Sequence, residues 1–127
     1  MNNVTLYGFI AIGGASGACL RHFINQIAIS VLGKGFPFGT LLVNILGSFL
    51  LGIIYALIEH GHVTVAPWRS LVAIGFLGAL TTFSTFSVDT LLLIQQGSWI
   101  KGLLNVMLNL GCCFFAVWIA MQLITHK

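Results

Sequence analysis

Thr81, Thr82, Ser84, Thr85 and Ser87 put five hydroxyls into seven consecutive positions, with Phe83 and Phe86 threaded among them. A second polar set, Thr40, Asn44 and Ser48, recurs at i, i+4 and i+8, a spacing that aligns all three on one helix face. Near the C-terminus Asn105 and Asn109 repeat it, and Cys113 continues the line. Hydroxyls and amides are neutral donors and acceptors, and a benzyl ring has a negative face and a positive rim. Groups of this kind suit an anion held weakly, as any ion that must also leave has to be. They do not suit catalysis. No nucleotide motif, nucleophile–base pair or metal-activation cluster accompanies them, so the chain is not expected to be an enzyme.

The elements that carry these residues must live in lipid. Of the 127 residues 58% are apolar and only 6% are charged, with a mean hydropathy of +1.06. An ordinary soluble domain carries roughly 25% charged residues. Five Lys/Arg and two Asp/Glu cannot cover the surface of one. A spanning helix needs about 20 predominantly apolar residues. Runs and breakers give four, at about 4–30, 38–58, 66–94 and 99–124, joined by short connectors. The fold class is an all-α membrane protein with four transmembrane helices, read as a single transmembrane domain over 1–127. The segment before the first span has no Lys or Arg, and "SGAC" (16–19) resembles a lipoprotein box only faintly, so that span is expected to remain.

Polar groups inside such spans need a reason. An unpartnered amide in hydrocarbon costs several kcal/mol, so Asn44 must face protein or water. Gly75, Gly78 and the hydroxyl cluster all weaken a helix, through backbone entropy and through competition for backbone groups. The third span is therefore read as broken near 78–82. Irregular backbone at membrane depth is tolerated only where it is buried in protein or lines a cavity. Freed carbonyls there could coordinate a cation, and freed N–H groups could face an anion. Arg21 and Asp89 are the charges expected well inside the spans, either neutralising one another or flanking a pore mouth. Cys19, Cys112 and Cys113 read as small packing residues and the histidines as solvated or interfacial, with no metal cluster among them.

Orientation is undetermined by charge. With four spans, one side holds Arg69 and Lys127 and the other Arg21, Lys34 and Lys101, two against three. So small a bias gives the chain no firm instruction on how to insert. A chain that inserts both ways could pair as an antiparallel dimer. Small residues at close-packing spacing, Gly13 with Gly17 and Gly14 with Ala18, serve contacts within one chain or between two equally well.

"GTLLVNILGSFLLG" (39–52) followed by "GFLGALTTFSTFS" (75–87) closely resembles the Fluc (CrcB) fluoride channels of microbes. "GGASGACLRHF" (13–23) is similar to the first helix of that family, arginine included. The resemblance covers nearly the whole chain. It implies an antiparallel, dual-topology homodimer with a broken third helix, two fluoride pores and one structural sodium ion on the dimer axis. By motif position Asn44 matches the asparagine that donates to fluoride, and Phe83 and Phe86 match the pair whose ring edges face the ion. Gly78 and Thr81 match the residues whose backbone carbonyls bind sodium, and Arg21 matches the arginine near the pore mouth, where Asp89 is the other candidate. Thr40, Ser48, Ser84, Thr85 and Asn109 are the further candidates for lining the path. Many relatives carry Tyr or Ser along the fourth-helix track, where this chain has Asn105 and Asn109. The implied activity is passive: fluoride trapped in the cytoplasm after HF crosses and ionises leaves down its gradient. The expected partners are fluoride, a second copy and the bilayer, with no nucleic acid, and the expected location is a bacterial inner membrane. Two other classes fit less of the pattern. A small multidrug-type exporter needs a carboxylate that the first span lacks, and a non-transporting assembly subunit would not need the Phe pair beside a helix break.

Overall fold

The computed structural model describes residues 2–126. Helix α1 runs from Asn3 to Leu32 and α2 from Phe38 to Glu59. A π-helical stretch, Arg69–Leu77, leads into the three-residue α3 (Gly78–Leu80), and α4 (Phe83–Gln95) and α5 (Trp99–Thr125) follow. Four stretches, Asn3–Leu32, Phe38–Glu59, Arg69–Gln95 and Trp99–Thr125, are long and apolar enough to cross a membrane. The chain is a multi-pass membrane protein.

Local chemistry sets the ends of these helices. Asn2 caps α1, its side-chain oxygen accepting from the Thr5 N–H at 2.8 Å. Gly33 closes the same helix at φ 80°, left-handed backbone that a glycine adopts without penalty, and its N–H returns to the Ile29 carbonyl. Thr82 caps α4 by accepting from the Thr85 N–H at 3.1 Å.

Packing is closest where side chains are missing. A Cβ on Gly13 would run into the Leu71 carbonyl and the Phe76 N–H, and one on Gly17 into the Phe76 carbonyl. The small-residue spacing of α1 is thus used inside one chain, against the π-helical stretch. Gly52 does the same for α2 against α5, where a Cβ would come within 2.9 Å of the Ala120 methyl. Val43, Leu77 and Leu80 form the buried centre, with Leu20, Ile24, Leu51 and Phe76 packed around it. This centre fixes α2 beside the α3–α4 junction, and that junction carries the polar groups.

Candidate functional site

The junction is two residues long. Leu80 is the last residue of α3, Thr81 is extended at φ −83°, ψ 155°, and Thr82 is extended at φ −152°, ψ 124°. Gly78, which the sequence placed within a break at 78–82, is itself helical.

Asn44 sits directly against this junction. Its Oδ1 accepts the Thr82 N–H at 2.8 Å, and its Nδ2 donates to the Thr82 carbonyl at 3.1 Å. The second Nδ2 proton goes to Asn109 Oδ1 at 2.9 Å. One side chain therefore satisfies both backbone groups of Thr82, the polar groups that a helix would have paired internally. In a continuous α-helix the Thr82 N–H would serve the Gly78 carbonyl and the Thr85 N–H the Thr81 carbonyl. The first goes to Asn44 and the second to Thr82 Oγ1, so both carbonyls lose their helical donors. Of the two neighbouring carbonyls, Ala79 accepts from Arg21 Nε at 3.1 Å and Leu77 from the Thr81 N–H and hydroxyl.

Two sets of cavities flank the junction. On one side a cavity of about 240 Å³ is lined by Asn44, Ser48, Thr82, Phe83, Phe86 and Asn109, with Thr81 and Cys113 also on its wall. No charged side chain lines it. The Phe83 and Phe86 rings stand 5.3 Å apart at 66°, edge toward face. Phe86 is 7% exposed and Phe83 73%, so the second ring lies on the outer surface of the chain. On the other side a cavity of about 270 Å³ is lined by Arg21, His22, Asn25, Thr40 and Thr85. Adjoining it, a further cavity of about 200 Å³ shares Asn25, Thr40 and Thr85 and adds Lys34 and Asp89. The α2 stripe is thus divided: Thr40 faces one cavity, and Asn44 and Ser48, further along the same face, line the other.

Arg21 and Asp89 do not pair. Arg21 donates to the Ala79 carbonyl and, at 3.5 Å, to Thr85 Oγ1. Asp89 lines the adjoining cavity together with Thr40. The two line different cavities, Arg21 the first and Asp89 the one adjoining it, and the guanidinium spends its donors on a backbone carbonyl and a hydroxyl instead. Ser84 lies at the exposed start of α4, 3.3 Å from Thr82 Oγ1, and does not line either cavity. Ser87 turns back to donate to the Phe83 carbonyl.

Two contributors were not picked out from the sequence, and a third was given a double reading. Asn25, four residues after Arg21 on α1, joins the cavity that Arg21 lines, and that spacing is a readable signal. Thr90, four residues after Phe86, receives the Asn105 amide at 2.9 Å. Cys113, read both as continuing the Asn105–Asn109 line and as a packing residue, lies on the wall of the uncharged cavity.

Fold and site together define a small multi-pass membrane protein with an uncharged, largely apolar cavity carrying a few amides and hydroxyls beside the extended Thr81–Thr82 junction. The chain belongs to the CrcB family: the family model described as CrcB-like protein, Camphor Resistance (CrcB), matches residues 8–121. A relative from Pseudoalteromonas translucida is 57% identical over 118 residues, covering 93% of this chain and 98% of its own. One from Shewanella baltica is 54% identical over 127 residues, covering 100% and 99%. One from Vibrio campbellii is 50% identical over 127 residues, covering all of both chains. All three are named fluoride-specific ion channel FluC. Those names describe channels rather than enzymes, in keeping with the lack of catalytic chemistry in the sequence.

Proposed function

We propose that this chain is a passive fluoride-selective channel that lets cytoplasmic fluoride leave a bacterial cell down its electrochemical gradient. The observation that carries the reading is the cavity at the α3–α4 junction. It brings the Asn44 amide, the Asn109 amide and two phenyl rings to one uncharged wall. Fluoride is small and strongly hydrated, so a path for it must replace water with donors and must not hold the ion too tightly. Asn44 offers the donor: its second Nδ2 proton points at Asn109 Oδ1 on the cavity wall, and an ion that takes the place of that oxygen would receive it while the pairing with Thr82 stays intact. The rings supply positive rims and no fixed charge. Arg21, Asn25, Thr40 and Thr85 form the mouth, where a guanidinium concentrates anions ahead of the uncharged stretch. Thr40 and Ser48 mark the two ends of the lining along α2, with Asn44 between them.

The active unit is an antiparallel, dual-topology homodimer with two pores, in the inner membrane. The exposed ring of Phe83 supports this, because a second copy laid against α4 would cover it and complete the wall. The near-balanced Lys/Arg count supports both orientations. A structural sodium ion at the dimer interface would be held by the carbonyls of Gly78 and Thr81, which have lost their helical donors. Carbonyl oxygens on unwound backbone are the ligand type such an ion takes. Its contribution is fixed positive charge between two copies, and it takes no part in ion transfer.

The test is reconstitution of the purified protein into liposomes loaded with fluoride, with efflux followed by a fluoride electrode and chloride loading as the control. Rapid fluoride efflux, no chloride efflux, and loss of efflux in Phe83→Ile and Asn44→Asp are expected. A proton-coupled exporter or an assembly subunit would release no fluoride under these conditions.

A further inference from the structure

Two amides meet on the wall of the uncharged cavity, and each is held in one orientation by backbone behind it. Asn109 Nδ2 donates to the Asn105 backbone carbonyl at 2.9 Å and to Asn105 Oδ1 at 3.0 Å, one turn earlier on α5. A flipped Asn109 would set oxygen against that backbone carbonyl, which can only accept. Both Nδ2 protons thus have acceptors on Asn105, and Asn109 turns its oxygen to Asn44. Asn44 is fixed in the same way by the N–H and carbonyl of Thr82. Its second Nδ2 proton goes to Asn109 Oδ1 at 2.9 Å.

The two lining amides are therefore of opposite sign. Asn44 brings a donor to the wall, and Asn109 brings an acceptor that already holds that donor. Other donors nearby are spent: the Thr81 hydroxyl goes to the Leu77 carbonyl at 3.0 Å. We propose that Asn109 acts as a built-in competitor of the anion. Its oxygen occupies the Asn44 N–H when no ion is present, gives the ion no donor of its own, and takes the N–H back as the ion leaves. Binding is then weakened by the one hydrogen bond the ion must displace, and weak binding is what lets an ion move on. The inference rests on the fluoride-channel reading and deepens it, because a residue on the wall of the path serves release rather than capture.

Asn109→Ala removes the competing oxygen and leaves its space open, and Asn109→Ser replaces it with a hydroxyl free to donate to the ion. The liposome assay is run over a range of fluoride loads, so that the half-saturating concentration and the maximal rate are read separately. Both variants are expected to lower the half-saturating fluoride about threefold to tenfold, the scale of one hydrogen bond no longer displaced. The maximal rate per active protein should fall with it, because the ion leaves more slowly. Should Asn109→Ala fail to fold, Asn109→Ser and Asn109→Cys are read by the same concentration. If Asn109 were a donor to the ion, its loss would raise the half-saturating fluoride. If it only packed, yield and melting would change while that concentration stayed at the parent value. Either result overturns the inference. Absence of fluoride efflux from the parent protein would instead refute the channel reading itself.

Discussion

Asn44 has two tasks that a shorter or charged side chain cannot combine. It closes both backbone groups of Thr82, and its second N–H, received by Asn109 Oδ1 at the cavity wall, is the donor proposed for the ion. Asn44→Asp keeps the shape but sets carboxylate oxygen against the Thr82 carbonyl and Asn109 Oδ1. Leaving such groups unsatisfied costs about 1–3 kcal/mol. A lower melting temperature in detergent and loss of fluoride efflux are both expected. Phe86 is buried beside the same cavity, so Phe86→Ile keeps most of the apolar packing while removing the ring rim. Efflux should fall by about tenfold or more, as for about 1.4 kcal/mol lost at one site, with the elution profile of the folded protein unchanged. The stripes that carry these residues are legible in the sequence because lipid leaves buried amides no indifferent location. Their partners are not legible. Spacing shows that Asn44 and Asn109 need something polar, but the bond from Asn44 to an extended Thr82, and Arg21 turning to Ala79 instead of Asp89, depend on where the helices cross.

At the scale of the element, the α3–α4 junction is held by side chains from three directions. Arg21 takes the Ala79 carbonyl, Asn44 takes Thr82, and Thr82 Oγ1 caps α4 through the Thr85 N–H. Thr82→Val keeps the β-branched shape and the extended backbone but removes the cap, which is worth about 1 kcal/mol. The expected outcome is a lower melting temperature with fluoride selection intact. Gly17 meets the Phe76 carbonyl with no room for a methyl. Gly17→Val should force α1 off the π-helical stretch and cost about 1–3 kcal/mol as overpacking, read as lost yield of monodisperse protein. Glycines and hydroxyls announce weak helix between 75 and 87. They do not announce which two residues become extended, since that choice depends on the reach of Asn44 from α2. The π-helical geometry of Arg69–Leu77 has no signature in the sequence either. It lies where Gly13 and Gly17 admit the backbone of 71–76 into contact with α1.

For the whole molecule, the Lys/Arg balance of two against three is the feature with most consequence. If both orientations are needed, adding three Lys to the 33–35 connector should lock the chain in one orientation and abolish efflux. Adding them instead to the 60–62 connector should lock the opposite one, and expressing the two biased forms together should restore efflux. A single biased form that conducts alone would show that one orientation suffices. The four spans are readable from apolar run length, whereas the proposed second copy has no such signal in the sequence, and Phe83 is simply a surface that one chain leaves open. The cavity beside the Thr81–Thr82 junction is the proposed fluoride path. Liposomes carrying the parent protein, loaded with fluoride or with chloride and followed by ion-selective electrodes, test it most directly. Fast fluoride efflux that Asn44→Asp abolishes, with chloride retained throughout, is the result a path of this design must give. Equal loss of both halides, or efflux indifferent to Asn44, would contradict it.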